Sequence, residues 1–186
     1  MAYAGQIIEN PVSGERIVFR KTAADTAGEY LEIDLYLAPD GSVPGAHVHP
    51  KQEERFEVLA GTMEFRMGLR KVVAGPGETV TIPAGKVHRF KNGGDEEAVV
   101  RVTVTPALKM EQLFETTVQL AEEGRVTRKG MPKPLDLALF VHEYRDEVQG
   151  PFPPAVIQRA SLAPLAWIGR RRGRAERYTA PKPAFA

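Results

Sequence analysis

Residues 41–61 read GSVPGAHVHPKQEERFEVLAG and hold two of the four histidines of the chain. His47 and His49 are separated by one residue, and in an extended strand that spacing places both imidazoles on the same face. Neutral imidazole nitrogens are common ligands of divalent metal ions. The two side chains are therefore candidate ligands of one metal ion.

Several carboxylates follow the two histidines, and strand alternation selects one of them as a further ligand. Glu54 shares its face with the apolar Phe56 and Val58, whereas Glu53 and Glu57 lie on the opposite face. A buried, ionised carboxylate is costly without a partner, and a divalent cation removes that cost. We therefore predict that Glu54 points inward and contributes an oxygen ligand.

A second stretch, GETVTIPAGKVHRFKN at residues 77–92, supplies the third histidine. A turn signal at residues 83–85 separates two strands, after which His88 shares a face with the apolar Phe90. A histidine that arrives from a different strand completes a three-dimensional site. The predicted metal ligands are His47, His49, Glu54 and His88.

The two stretches resemble the two signature motifs of the cupin superfamily. The first stretch runs from Gly41 to Gly61 and carries its histidines and its carboxylate at the spacing of the family pattern. The second, from Gly77 to Asn92, likewise fills every fixed position, with His88 as its histidine. The resemblance is to the small, single-domain bacterial type of this superfamily.

The resemblance covers about residues 30–105 and implies a conical jelly-roll β-barrel with a metal ion near its centre. It implies that this ion is ligated by the four residues named above. It also implies a homodimer, because cupins commonly form dimers.

The strand pattern outside the two motifs agrees with an all-β fold. Apolar and polar residues alternate in residues 29–37, 63–67 and 78–83, so each of these strands buries one face. The fold class predicted is a cupin-type jelly-roll β-barrel with a C-terminal α-helical extension. The inward residues expected to pack its core are Phe56, Val58, Met63, Phe65, Met67, Val80, Ile82 and Phe90.

Helical spacing begins after Pro106. A first helix is predicted from Pro106 to Gly124, a second over about residues 134–148 and a third between residues 155 and 168. The apolar residues of these helices that are expected to be buried, against the outside of the barrel or across a subunit interface, are Leu113, Phe114, Leu139 and Trp167. We predict three regions: a barrel with the metal site over residues 1–106, a helical extension over 107–169 and a basic, disordered tail over 170–186.

An arginine cluster at residues 170–177 follows an apolar segment, a pattern that a membrane-surface or nucleic-acid contact could produce. Pro164 is expected to interrupt a continuous helix there, which favours a solvated tail instead. The formal net charge of +1 gives no reason to expect nucleic acid as a partner. We therefore predict neither a nucleic-acid partner nor a membrane partner.

The composition excludes several other classes. The chain has no cysteine, which excludes disulfides, zinc fingers and thiol catalysis, so any metal is held by nitrogen and oxygen. There is no apolar stretch long enough to span a bilayer and no signal-like N-terminus, so we expect a cytoplasmic protein. His142 lies outside both motifs, and we expect it to have a structural or exposed role.

Three nitrogen ligands and one oxygen ligand leave one or two positions of a five- or six-coordinate ion open to a substrate. Our leading hypothesis is a metal-dependent oxidoreductase of the dioxygenase type, acting on a small organic substrate that chelates the metal. Glu54 is its candidate catalytic residue, as a proton acceptor. Histidine and carboxylate accept Fe, Mn, Ni, Cu, Co and Zn, so the sequence does not select the metal.

Two alternatives use the same ligands. In a metal-dependent isomerase or epimerase, the ion only polarises a carbonyl group and no oxygen is consumed. In a non-catalytic binding or sensor protein, the barrel holds a small molecule and the helical extension relays its presence to a partner.

Overall fold

The computed structural model describes residues 2–42 and 45–179. Within this part of the chain, nine strands form two sheets whose neighbouring strands are all antiparallel. The larger sheet has the order β1-β2-β3-β9-β4-β7, and the smaller has the order β6-β5-β8. The strands are β1 (Ile7–Glu9), β2 (Arg16–Lys21), β3 (Leu31–Leu37), β4 (Glu53–Ala60), β5 (Met63–Met67), β6 (Arg70–Ala74), β7 (Thr79–Ile82), β8 (His88–Asn92) and β9 (Ala98–Thr105).

Strands β3 and β9 show why this region folds as a sheet. They pair along their length, from Leu31 opposite Val104 to Leu37 opposite Ala98. Alternate residues of both strands are buried, as the apolar alternation of the sequence requires. Burial of one large apolar side chain contributes about 1.5–3 kcal/mol, so the shared inner face stabilises the pairing.

The two sheets share one core. The ring of Phe56 on β4 lies 5.1 Å from that of Phe65 on β5 and 4.9 Å from that of Phe90 on β8, measured between ring centroids. The predicted core residues are buried, except that Met67 is only partly buried. The all-β jelly-roll barrel predicted from the sequence is thus confirmed.

The predicted C-terminal helices are also present: α1 (Met110–Glu122), α2 (Pro134–Glu143), α3 (Ala155–Arg171) and α4 (Glu176–Thr179). Buried residues of this extension, among them Leu139, Tyr144 and Ala166, belong to the same apolar cluster as those of the barrel. The division into separate domains at residue 106 stays a prediction.

The start of α1 and the end of α2 differ most from the sequence prediction. Helix α1 begins at Met110 rather than at Pro106, because Leu108 has a φ of +46°, a left-handed backbone conformation that a right-handed helix does not contain. Helix α2 ends at Glu143, five residues before the predicted end, since residues 144–149 turn toward the barrel instead.

The prediction that Pro164 interrupts the third helix is wrong. Helix α3 is continuous from Ala155 to Arg171 with Pro164 inside it. Proline removes one backbone donor from a helix, which leaves the carbonyl one turn earlier without its usual partner. Pro164 lies on the solvent side, where water can satisfy that carbonyl.

Burial of the predicted apolar residues is uneven. Leu113 and Leu139 are buried and Phe114 is partly buried, but Trp167 is 57% exposed in the single chain, so for this residue only burial across a subunit interface stays a prediction. The guanidinium of Arg171 lies over the indole ring, 4.9 Å from its centroid, so a cation–π contact covers one face of it. No helix in the described part of the chain is long and apolar enough to cross a bilayer.

The prediction of a disordered tail from residue 170 is wrong for residues 170–179. Tyr178 on α4 is buried and donates its hydroxyl hydrogen to the carbonyl of Asp136, 3.0 Å away. Arg174 forms an ion pair of 3.0 Å with the buried Asp136 carboxylate. A buried carboxylate needs such a partner, and this ion pair holds Arg174 against the rest of the extension. Residues 180–186 of the predicted tail lie outside the described residues.

Candidate metal centre

The backbone brings the two histidine-bearing stretches together. The N–H of His47 donates to the carbonyl of His88 at 2.9 Å, and the N–H of His88 donates to the carbonyl of His47 at 3.0 Å. Two residues beyond His47, the carbonyl of His49 accepts a hydrogen bond of 2.8 Å from the N–H of Gly85. This antiparallel bridge places side chains from both stretches on one inner surface.

Glu54 reaches the same surface from strand β4, between β7 and β9. It is 5% exposed, as is His49, and His88 is only 1% exposed, whereas His47 is partly exposed. Glu53, on the opposite face of the strand, is exposed, as strand alternation predicted.

Donor atoms of the four residues lie within 4.8 Å of one another. Oε2 of Glu54 is 2.9 Å from Nε2 of His88 and 3.4 Å from Nε2 of His49. Ligand atoms that surround one ion at about 2.1 Å, at tetrahedral or octahedral angles, are roughly 3.0–3.4 Å apart. The two separations from Oε2 of Glu54 are therefore close to those between ligand atoms of one metal ion.

The other ring nitrogen of each histidine is held by a backbone carbonyl. Nδ1 of His47 lies 3.3 Å from the carbonyl oxygen of Gly45, and Nδ1 of His88 lies 3.0 Å from that of Lys86. Nδ1 of His49 lies 2.5 Å from the carbonyl oxygen of Glu147. Because a carbonyl only accepts, each Nδ1 carries the hydrogen and each Nε2 is left with its lone pair.

Three polar atoms at the centre of the group are buried without a hydrogen-bond partner: Nε2 of His49, Nε2 of His88 and Oε2 of Glu54. The short distance between Glu54 and His88 is not a hydrogen bond in this tautomer, because Nε2 of His88 carries no hydrogen to donate. Unsatisfied buried polar groups are costly and rare in native proteins. A divalent cation would satisfy all three atoms, so the residues present fit a metal ion.

The charge states of His47 and Glu54 agree with this fit, whereas the Glu54 carboxylate favours a proton on His88 that a metal ion would replace. Burial, together with the neighbouring imidazoles of His88 and His49, lowers the pKa of His47 to about 4, so this histidine is neutral at physiological pH. Burial alone would raise the pKa of Glu54, but the imidazoles of His49 and His88 outweigh it and hold this pKa below its usual range. Burial alone would lower the pKa of His88, but the Glu54 carboxylate raises it.

An apolar wall stands behind the polar group. Along β4, Glu54 and Phe56 share the inner face, and along β8, His88 and Phe90 do so. The Phe56 and Phe90 rings are in edge contact with a centroid distance of 4.9 Å. Such a wall excludes water and strengthens electrostatic interactions at the site.

The structure thus brings together all four residues that the sequence predicted as ligands, and metal binding by them stays a prediction. His142 is not part of this group; it lies half-buried on helix α2. Sequence reasoning missed Glu147, whose carbonyl lies 98 residues along the chain from His49. No side-chain pattern could have found it, because any residue type carries a backbone carbonyl.

Comparison with known proteins gives the following matches. A family model described as Cupin domain matches residues 34–105. Similar solved structures include a predicted oxalate decarboxylase from Thermotoga maritima, 18% identical, which aligns with 57% of this chain and 98% of its own with a TM-score of 0.49. KdgF from Halomonas sp. is 12% identical over 56% of this chain and 91% of its own, also with a TM-score of 0.49.

A third similar structure is the polyketide cyclase RemF from Streptomyces resistomycificus, 24% identical over 56% of this chain and 78% of its own, with a TM-score of 0.47. No curated protein matches the chain. The activities in these names belong to those proteins.

Proposed function

We propose that this chain, which belongs to the cupin superfamily through the cupin domain at residues 34–105, is a metal-dependent oxidoreductase of the dioxygenase type. Its substrate would be a small organic molecule with two adjacent oxygens, such as a carbonyl beside an enolisable hydroxyl. The observation that carries the proposal is the set of three buried, unpartnered atoms on His49, His88 and Glu54. Together with His47, they would hold one divalent ion by three nitrogens and one oxygen.

An ion held by these four residues would supply a Lewis acid and, if redox-active like iron, would allow chemistry with dioxygen. The chain's own groups set the conditions for that chemistry. The carbonyls of Gly45, Lys86 and Glu147 keep each imidazole in the tautomer that presents Nε2. The phenylalanine wall behind them keeps bulk water away.

Glu54 is the candidate catalytic residue. Its pKa lies below the usual range, so its carboxylate is ionised, and it would accept a proton only from a substrate hydroxyl whose own pKa the metal ion had lowered. The enolate formed in this way would supply the electrons for dioxygen reduction. Both oxygen atoms would enter the product, so the reaction balances without an external reductant.

The test is oxygen consumption by protein reconstituted with Fe(II), measured against a panel of enolisable hydroxy-carbonyl and diketone compounds. We expect uptake of one dioxygen per substrate converted and incorporation of both atoms from isotopically labelled dioxygen. The His88→Ala variant is expected to lose this activity. The His142→Ala variant, changed at a histidine outside the site, is the matched control and is expected to keep it.

The same assay separates the alternatives. Turnover under strict anaerobiosis would contradict the dioxygenase proposal and support an isomerase or epimerase. A small molecule that binds equally well to the wild type and to a His47→Ala, His88→Ala double variant, without turnover, would support a binding protein instead.

We propose a homodimer, as the superfamily resemblance implies, and a cytoplasmic location, neither of which the comparisons address. Size-exclusion chromatography with light scattering tests the dimer: a mass near twice that of the 20.5 kDa chain is expected, and a mass near that of one chain would contradict it.

A further inference from the structure

The helical extension reaches the candidate metal centre through a short segment, residues 147–149. The N–H of Val48 donates to the carbonyl of Gln149 at 2.9 Å, and the N–H of Gln149 donates to the carbonyl of Val48 at 2.9 Å. Val48 lies between His47 and His49, so this bridge fixes the backbone of both candidate ligands. The segment follows helix α2 and lies outside the residues 34–105 matched by the family model.

The same segment holds the imidazole of His49. Its Nδ1 lies 2.5 Å from the carbonyl oxygen of Glu147, the shortest of the three histidine contacts with carbonyls. His47 and His88 each use a carbonyl two residues earlier in their own stretch, whereas the partner of His49 comes from the extension. The ring orientation of His49 therefore depends on where the extension places Glu147.

Hydrogen bonds to residues in and next to helix α1 hold the Glu147 carbonyl in position. The Glu147 side chain is buried and accepts a hydrogen bond of 3.1 Å from the backbone N–H of Lys109, just before helix α1. The N–H groups of Glu147 and Val148 donate to the carbonyl of Tyr144 at 3.1 and 2.9 Å. Tyr144 is fully buried and its hydroxyl lies 2.6 Å from that of Thr116 on α1. The turn at residues 144–147 is thus hydrogen-bonded at one end to Thr116 of α1 and at the other to Lys109, just before α1.

We propose that Glu147 is a positioning residue of the metal centre: its carbonyl orients His49, and its buried carboxylate holds that carbonyl in place through Lys109. The inference rests on the proposed metal site. It goes beyond that site because it makes the helical extension a part of the centre and couples the folding of residues 144–149 to metal affinity. Partners that orient a ligand histidine in this way are typically worth 10–100-fold in metal affinity.

The test compares Glu147→Ala with Glu143→Ala in the full-length chain. Both substitutions remove a carboxylate of the extension that contacts Lys109, but Glu143 binds the exposed ammonium group at 2.7 Å and does not touch the site. A third variant, Gln149→Pro, removes the N–H that donates to Val48 while leaving Glu147 unchanged. Circular dichroism and thermal unfolding check that each variant folds.

The first measurement is the dissociation constant for Zn²⁺, obtained by competition with a chelator. We expect it to rise about 10–100-fold in Glu147→Ala and in Gln149→Pro, and to change less than about twofold in Glu143→Ala. Folded Glu147→Ala and Gln149→Pro proteins that bind Zn²⁺ as tightly as the wild type would overturn the proposal.

The second measurement needs no metal: imidazole nitrogen and proton NMR of the metal-free protein, with His49 assigned by substitution. The wild type is expected to show the Nδ1–H tautomer of His49 with a strongly deshielded proton, and Glu147→Ala to lose this signal. A wild type that binds no metal but shows this tautomer would contradict the metal site and the proposed function, and would support only the orientation of His49 by Glu147. Absence of the tautomer from the wild type would overturn the positioning role.

Discussion

At the scale of single residues, the proposed metal centre depends most on Glu54, which is selected as a ligand over its neighbouring carboxylates. Its carboxylate lies 2.9 Å from Nε2 of His88 inside the barrel, whereas Glu53 is exposed on the other face of β4. We predict that Glu54→Gln, which removes the charge but keeps the shape, weakens Zn²⁺ binding by at least about 100-fold, since even partners behind the ligands are worth up to that much. Isothermal titration calorimetry measures this.

The matched control for this substitution is Glu53→Gln, one residue away on the same strand. It is expected to bind Zn²⁺ as the wild type does. Equal loss of Zn²⁺ affinity in both variants would mean that the loss comes from the removed negative charge on β4 and not from the loss of a metal ligand.

Asp34 gives a pH-dependent prediction. Its buried carboxylate accepts hydrogen bonds from Arg101 and Arg20 at 2.9 and 2.7 Å. Burial alone would raise its pKa, but the two arginines outweigh burial and lower it. A folded-state pKa below the unfolded value, about 3.9, stabilises the protein above that pH and ceases to do so as the pH falls through the folded-state pKa.

We therefore predict that Asp34→Asn lowers the free energy of unfolding at pH 7 by about 1–2 kcal/mol, a value reduced by solvent screening because both arginines are partly exposed. The difference from the wild type should shrink as the pH falls below about 4. Urea unfolding at several pH values measures it. A difference that stays constant down to the lowest pH would show that the ion pairs are not its cause.

Much of the candidate site could be predicted at this scale. The side-chain period of a strand is two residues, so the sequence alone distinguishes Glu54 from Glu53 and places His47 beside His49. It could not identify Glu147, because that residue acts through its backbone and lies far from His49 in the sequence.

At the scale of elements, the turn between β4 and β5 sets how the two sheets meet. Gly61 in this turn has a φ of +73°, and an added Cβ would lie 2.8 Å from Cα of Ala98 and from the carbonyl oxygen of Glu97. We predict that Gly61→Ala lowers the free energy of unfolding by about 2–5 kcal/mol, from backbone strain and overpacking together.

Gly77 is the matched control, with a φ of +84° and nothing within 4 Å of an added Cβ. Gly77→Ala should cost only about 1–2 kcal/mol, the strain of the left-handed backbone. Denaturant unfolding of both variants compares them. Equal destabilisation would show that the contact with β9 does not matter.

The sequence predicted which elements exist better than where they end. Helical spacing identified α1 to α3. The left-handed backbone of Leu108 moves the start of α1 to Met110, and residues 144–149 end helix α2 early and pair with the barrel. Pro164 lies within a continuous helix because its solvent-facing side tolerates the missing hydrogen bond. These outcomes depend on tertiary contacts, which local periodicity does not contain.

At the scale of the whole molecule, the barrel and the extension share one apolar cluster and the bridge between Val48 and Gln149. We predict that they unfold together. Trp167, the only tryptophan, reports on the extension, and circular dichroism reports on the strands as well. Coincident midpoints in fluorescence and circular dichroism are expected, whereas two separate transitions would mean that the extension folds independently.

The most direct test of the central claim is the metal content of the protein. Elemental analysis of wild-type protein purified without added metal is expected to find close to one divalent ion per chain, and His142→Ala should retain it. The His49→Ala variant is expected to lose most of it. A wild type that holds no divalent metal even after reconstitution, or a His49→Ala variant that retains a full equivalent, would contradict the proposed metal centre.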